Sequence, residues 1–205
     1  MDLDLPLADI LGANGARILR RLGLVGTPLS MRRIAELTSV PIASASRELA
    51  RFQRIGLVTR NDSGGASLWT LNRDHAFWGP LQDILATPQR IEQAIRSISS
   101  EMLTDNTTVA LYGSFVRGEG TSESDIDVLV IWGTRSAEDE REMILTTIRD
   151  RISTLTGNSV DIIAFDPADI HDLVEANDPL VNSWLADART VAGMTVPERI
   201  GMAKA

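Results

Sequence analysis

The sequence predicts a mixed α/β (α+β) chain in two parts, a three-helix unit with a β-hairpin followed by a small mixed β-sheet flanked by helices. In the first part, apolar residues recur at helical spacing up to about residue 54 and then give way to two short strand-like runs. In the second part, three β-branched, apolar runs alternate with helical stretches. The two parts also carry net charges of opposite sign.

Composition excludes several kinds of site. The chain has 205 residues, of which 43% are hydrophobic, and no apolar run approaches the ~20 residues that cross a bilayer. Its acidic start, MDLDLPLADI, is unlike a signal peptide, so we expect a cytoplasmic protein with no membrane association. The absence of cysteine excludes disulfides, thiolate zinc sites and a cysteine nucleophile, and the only two histidines, His75 and His171, leave little room for a histidine-built metal site. Any metal must be held by oxygen ligands.

The charge is divided unevenly along the chain. Residues 10–73 carry ten arginines against three acidic residues, a net charge of +7. From residue 76 onward, ten basic residues face 21 acidic ones, a net charge of −11. This asymmetry predicts that the first part faces nucleic acid, and the alternative is that the arginines cover solvated helix faces.

Three helices and a hairpin are predicted in the first part. The first helix covers residues 13–22 and ends at Gly23, and Ser30 caps a second helix, MRRIAELTSV. The third begins near Pro41. Its predicted buried side consists of Ile42, Ala45, Leu49 and Phe52. Two strands follow, GLVTR and ASLWTL, joined by the loop NDSGG.

This order of elements resembles the winged helix-turn-helix transcription regulators over roughly residues 10–75. The resemblance implies that the third helix enters the major groove of DNA. The residues it would place against bases or phosphates are Ser44, Ser46, Arg47 and Arg51 on the helix and Arg60 and Asn61 on the wing. It also implies a homodimer that reads two half-sites. The alternative is a winged helix used for dimerisation or protein docking.

A helical connector is predicted over residues 76–104, between a DNA-binding domain at 1–75 and a second domain at 105–205. Pro88 interrupts the connector, so we expect a second helix from about 89 to 103. The second domain then reads as three strands, TTVALY, DIDVLVIW and VDIIAF. A long helix precedes the third strand, with Ser136 as its cap, and further helices follow that strand. The residues of this long helix that are predicted to face inward are Met143, Ile144, Ile148 and Ile152.

Gly113 and Ser114 lie where the first of these strands ends and a helix starts. Free backbone N–H groups and the helix dipole favour an anion at such a position. Gly113 has no side chain to keep a phosphate away, and the Ser114 hydroxyl can donate to it. The alternative is an ordinary capped turn, which uses the same two residue types.

Three aspartates stand at the strands that follow. Asp125 and Asp127 are two residues apart and therefore share a strand face, where their charges repel unless a cation lies between them or one is protonated. If the strand of Asp161 pairs beside theirs, Asp161 joins the same face. Oxygen ligands alone favour Mg²⁺ or Mn²⁺. Taken singly, each aspartate could instead cap a turn at the surface.

The stretch GSFVRGEGTSESDIDVLV resembles the signature of the polymerase-β-like nucleotidyltransferase superfamily, in particular its minimal branch. The resemblance covers residues 107 to about 165, with valine at position 116 where alanine is usual. The matching positions are Gly113, Ser114, Arg117, Gly118, Ser124, Asp125 and Asp127.

The resemblance implies a role for each of these groups. Asp125 and Asp127 would hold two divalent ions on a nucleoside triphosphate, most simply ATP, and Asp161 would ligate the ion that activates the attacking hydroxyl. Nucleotide binding would fall to Gly113, Ser114, Arg117 and Ser124. The acceptor would be a protein, such as a HEPN-type toxin, or an RNA, and the acidic second part favours a protein. The alternative is a transcription regulator that senses a nucleotide without transferring it.

Overall fold

The computed structural model describes residues 1–63, 66–103, 106–133 and 138–203. The chain divides into two compact units: Asp2 and Asp4–Thr87 form the first, and Met1, Leu3 and Pro88–Ala205 form the second. No helix within the described ranges combines the length and the apolar character that a membrane span needs.

The first unit is mostly helical and carries a small antiparallel sheet with strand order β1-β3-β2. Its elements are α1 (Ala8–Leu11), α2 (Ala13–Leu24), β1 (Leu29–Ser30), α3 (Met31–Thr38), α4 (Ile42–Arg54), β2 (Val58–Ser63), β3 (Ala66–Leu71) and α5 (Trp78–Leu85).

Local sequence accounts for the start of α3 but not for the end of α2. The Ser30 hydroxyl accepts a 3.2 Å hydrogen bond from the Arg33 amide, which confirms the predicted cap of α3. Gly23 does not end the first predicted helix, because α2 continues to Leu24. Glycine is needed there for packing, since a Cβ at position 23 would lie 2.6 Å from the Trp78 ring.

The hairpin is longer than predicted. Residues 61–63 continue β2, paired with β3, and are not part of a loop. The two loop glycines, 64 and 65, lie outside the described residues.

Two apolar clusters hold the first unit together, a large one that includes α4 and a smaller one around Leu5, Leu7 and Ala16. Helix α4 contributes Ala45, Leu49 and Phe52 to the large cluster, as predicted. Ile42 was predicted to join them, but it is 53% exposed because it occupies the first position of α4, a full turn of helix before the buried side begins.

The second unit contains a four-stranded sheet with helices on both faces. Its elements are α6 (Thr87–Met102), β4 (Thr108–Tyr112), α7 (Gly113–Arg117), β5 (Ile126–Ile131), α8 (Glu138–Thr156), β6 (Val160–Phe165), α9 (Pro167–Glu175), α10 (Pro179–Asp187), β7 (Arg189–Ala192) and α11 (Val196–Ala203). The predicted mixed α/β fold is therefore confirmed. The predicted cap of α8, Ser136, lies outside the described residues.

The sheet has strand order β6-β5-β4-β7, with β5 and β6 parallel and the other pairs antiparallel. The sequence predicts β5 as a strand covered on both faces, and its Val128, Leu129 and Val130 are fully buried. Strand β7 was not predicted, because its four residues, RTVA, contain no apolar run and begin with arginine.

Two apolar layers enclose the sheet. Side chains from α6 and α8 pack on one face, and side chains from α9, α10 and α11 pack on the other. Ile148 and Ile152 of α8 are buried as predicted and Ile144 is partly buried, but Met143 is 62% exposed. Met143 precedes Ile144 by one position, which turns it about 100° away from the sheet.

Replacing Leu129 by alanine is expected to destabilise the second unit by about 2–5 kcal/mol, because a buried central-strand side chain would leave a cavity. Urea unfolding followed by circular dichroism measures this. Leu180→Ala is the matched control, since Leu180 is 43% exposed and its loss should cost far less. Equal destabilisation by both changes would contradict the described packing.

Candidate active site

Asp127 and Asp161 lie directly beside each other near the start of the neighbouring strands β5 and β6. Both are second residues of their strands, and the parallel register pairs Asp127 with Asp161. Tyr112, the last residue of β4, pairs with Asp127 from the other side. Directly paired residues point to the same face of a sheet, so these three side chains form one row. The row extends the face that packs against α9, α10 and α11.

Like charges dominate the electrostatics of this row. Burial raises the pKa of Asp127, and the charges of Asp161 and then Asp125 raise it further. Burial, followed by the charges of Asp127 and Asp161, raises the pKa of Tyr112 to about 12. The site therefore favours an added proton or a cation.

Gly113 brings the end of β4 against the Asp127 carboxylate. Its φ of +71° lies in the left-handed region that favours glycine. A Cβ at this position would overlap Asp127 Oδ2 and lie 3.0 Å from its Cγ. Ser114 follows in the first turn of α7 and is half-buried. The turn is thus shaped so that backbone, and no side chain, faces the carboxylate.

Asp125 precedes β5 and has a partner that the sequence did not indicate. The Ser159 hydroxyl donates a hydrogen bond to Asp125 Oδ1, and the Ser159 carbonyl accepts one from the Ile126 amide at 2.9 Å. Asp125 is exposed, and its charge still acts on Asp127. Ser159 immediately precedes β6, so the same strand pairing that aligns Asp161 brings Ser159 to Asp125.

Arg117 is held by two carboxylates. Its Nη1 donates to Asp187 Oδ2 at 2.6 Å and its Nε donates to Glu119 Oε2 at 2.9 Å. These hydrogen bonds, first to Glu119 and then to Asp187, raise the pKa of Arg117. Its charge also lowers the pKa of Asp127, so it acts on the row of carboxylates. Asp187, at the end of α10, carried no motif in the sequence.

Ser124 accepts hydrogen bonds that hold the loop before Asp125 in place. Its hydroxyl accepts a 3.0 Å hydrogen bond from the Thr121 amide. Its carbonyl accepts one from Nδ2 of the buried Asn158, also at 3.0 Å. These contacts position the loop, and Asn158 was not indicated by the sequence either.

The donor set fits a hard divalent cation. Asp125, Asp127 and Asp161 offer only oxygen atoms, and their mutual repulsion is the kind that a cation relieves. With Asp125 turned to Ser159, however, the described side chains contain no group of three or more acidic or histidine residues already gathered for a metal. Asp127 and Asp161 are thus the pair that the fold aligns, and Asp125 stands next to it.

The residues predicted to contact DNA fall into two groups. Ser46 and Arg47 are exposed on α4 and Asn61 is exposed on β2. Among the residues that the structure describes, Arg47 Nη2 donates to the Ser44 hydroxyl alone, at 3.2 Å. These side chains are open to a partner.

Arg51 and Arg60 are instead engaged within their own unit. Arg51 Nη2 lies 3.3 Å from the Leu11 carbonyl oxygen and 2.7 Å from Glu48 Oε2. Arg60 Nε donates to Asp62 Oδ1 at 3.0 Å, and its guanidinium lies 5.8 Å from the centre of the Trp69 ring. Both sets of contacts lie within the first unit.

Two stretches of the chain match models of known protein families. Residues 90–189 match the family model of the nucleotidyltransferase domain, and residues 13–62 match that of the IclR helix-turn-helix domain. No curated protein sequence is similar enough to count as a match.

Among solved structures, a toxin–antitoxin with AMP-PNP is 14% identical, with 55% of this chain and 83% of that chain covered and a TM-score of 0.40. A mutant of the toxin–antitoxin MntA-HpeT is 11% identical over the same shares, with a TM-score of 0.39. A tri-AMPylated Shewanella oneidensis HEPN toxin in complex with MNT antitoxin is 16% identical over 57% and 86%, with a TM-score of 0.36. With TM-scores below 0.5, these likenesses assign neither a fold nor an activity.

Gly113→Ala is expected to destabilise the protein by more than the usual cost of an alanine at positive φ, and to disturb the candidate site. An alanine at positive φ costs about 1–2 kcal/mol, and here the new Cβ would also push the Asp127 carboxylate away. Gly157→Ala is the matched control, because Gly157 has a φ of +73° and no atom within 4 Å of the added Cβ. Chemical unfolding and Mn²⁺ titration of both variants measure the difference. Equal stability and equal Mn²⁺ affinity would contradict the described contact.

Proposed function

This chain carries a nucleotidyltransferase domain preceded by an IclR-type helix-turn-helix domain, and we propose that it transfers a nucleoside monophosphate from a nucleoside triphosphate to a hydroxyl group in a metal-dependent reaction. The observation that carries the proposal is the row formed by Asp127 and Asp161 next to the Gly113 turn. Carboxylates beside a turn that presents backbone amides suit a metal-bound triphosphate.

The three aspartates have different roles in this proposal. Asp125 and Asp127 would hold Mg²⁺ or Mn²⁺, which when bound neutralises the triphosphate and polarises the phosphorus that is attacked. Asp161 is exposed at the edge of the row, where it can accept the proton of the attacking hydroxyl. The hydroxyl oxygen forms a bond to the α-phosphorus while the bond to the leaving pyrophosphate breaks.

The phosphates would be bound by the turn and by arginine. The first amides of α7, at Gly113 and Ser114, have no partner within the helix and can donate to phosphate oxygens. Arg117 stands at the end of the same helix and adds positive charge, anchored by Asp187 and Glu119. Ser124 would support the nucleotide through the loop it closes. We take ATP as the donor.

We propose a protein acceptor, of the kind that a HEPN-type toxin represents, in preference to RNA. The chain from residue 76 onward has a net charge of −11, which repels a polyanionic acceptor. The helix-turn-helix domain would bind operator DNA, as a homodimer on two half-sites, and so regulate synthesis of the protein. The chain would then act as both the modifying enzyme and the repressor of a toxin–antitoxin pair.

A second candidate is a regulator that binds a nucleotide without transferring it. It is favoured by the engagement of Asp125 with Ser159 and of Arg117 with two carboxylates. In that case ATP would change the affinity for operator DNA, and no acceptor would be labelled. Incubation of the protein and Mg²⁺ with α-labelled ATP in native cell extract separates the two candidates, because only the enzyme leaves label on a macromolecule.

Asp127→Asn is expected to reduce transfer about 100-fold or more through loss of a metal ligand. The same change should raise the melting temperature in EDTA at pH 7. The folded-state pKa of Asp127 is raised, so its ionised form destabilises the fold as pH rises above the ordinary value of 3.8. Transfer of label and thermal unfolding measure the two effects. Asp172→Asn, on an exposed residue of α9, is the control. Normal transfer by Asp127→Asn would refute the metal assignment.

Arg47→Ala is expected to weaken DNA binding and to lower the slope of log affinity against log salt by about 1, as for loss of one phosphate contact. Fluorescence anisotropy at several salt concentrations measures both quantities. Arg32→Ala is the comparison, because Arg32 is exposed on α3 but paired with Glu36 at 3.3 Å. DNA binding that does not weaken with salt would contradict the DNA assignment.

A further inference from the structure

Three arginines of α2 surround a cavity in the first unit. Arg17, Arg20 and Arg21 lie on one side of the helix, at spacings of three and four residues. The cavity has a volume of about 260 Å³, and Thr38 at the end of α3 also lines it. These residues are far in sequence from the nucleotidyltransferase motif, and all belong to the first unit.

The positive charge around this cavity is only partly compensated. Asp4 is the one carboxylate in its lining, and both of its oxygens accept from Nη1 of Arg20, at 3.1 and 3.2 Å. Within the described ranges, the side chains of Arg17 and Arg21 form no ion pair or hydrogen bond. The lining therefore carries an excess of two positive charges.

Among these arginines, Arg21 has a buried side-chain nitrogen whose hydrogen bond is not satisfied by any residue that the structure describes. Its Nε is buried and has no hydrogen-bond partner among the described atoms. A buried charged donor without a partner is costly, and nearby like charges add to the cost. The carbonyl end of α3 offers partial negative charge at Thr38, yet it leaves this Nε unsatisfied. An anion that enters the cavity would satisfy it.

We propose that this cavity binds the terminal phosphate or pyrophosphate group of a small molecule. Arginine is the side chain best suited to phosphate oxygens, which it binds through two parallel N–H donors. The volume is several times the ~30 Å³ that a water molecule occupies in the liquid, so one or two phosphate groups fit. A terminal phosphate can enter the cavity end-on, whereas a phosphodiester of duplex DNA is bonded on both sides along its backbone.

Titration calorimetry of the full chain with inorganic pyrophosphate tests this proposal, with inorganic phosphate as a second probe. The experiment is carried out in EDTA, because without a metal the acidic row of Asp127 and Asp161 repels pyrophosphate. The wild type is expected to bind, and Arg21→Gln is expected to bind about tenfold more weakly or worse, through loss of a charge-assisted contact. Arg32→Gln removes the same charge from an exposed position and should bind as the wild type does.

Arg17→Gln keeps the test decisive if the Arg21 variant does not fold, since Arg17 is exposed and its side chain has no ion pair or hydrogen bond within the described ranges. Unchanged pyrophosphate binding by both variants would overturn the proposal, and so would the absence of binding by the wild type. A third result would overturn it as well: variants that lose affinity for DNA while the wild type binds no pyrophosphate would assign these arginines to the DNA backbone.

Discussion

The parallel pairing of β5 with β6, in the register that sets Asp127 beside Asp161, is the constraint on which the candidate active site depends. A shift of one residue would turn Asp161 to the opposite face. The register is held by apolar neighbours in the same strands, because Val128 and Leu129 are buried on opposite faces of the sheet. The hydrophobic core therefore holds two like charges together that would separate in an unfolded chain.

Asp127 and Asp161 repel each other within this row. The raised pKa values of Asp127 and Tyr112 show that the fold accepts an unfavourable concentration of negative charge. Such strain is common where a protein binds a cation or performs chemistry. Neighbouring contacts limit it: Ser159 donates to Asp125, and Arg117 lowers the pKa of Asp127 while Asp187 and Glu119 keep the guanidinium in place.

The arginines of the first unit show that net charge alone does not reveal function. Arg51 and Arg60 contribute to the +7 charge of residues 10–73, yet both are used inside the unit. Arg47 is exposed on α4, where a groove of DNA could receive it. Arg21 has a buried Nε without a hydrogen-bond partner in the described part of the chain. Arginines of equal charge thus differ in the contacts that they make, and net charge does not show these differences.

The sequence by itself determined the two parts of the chain, the Ser30 cap, the buried central strand and the Gly-Ser and Asp-x-Asp motif, because helical and strand periods and short motifs are local properties. Packing decided the strand β7 and the helical position of Gly23. The positions of Ile42 and Met143 within α4 and α8 decided their exposure. The tertiary structure alone also brings Ser159 to Asp125 and Asp187 to Arg117. These contacts join residues 34 and 70 positions apart, and no local pattern encodes such a distance.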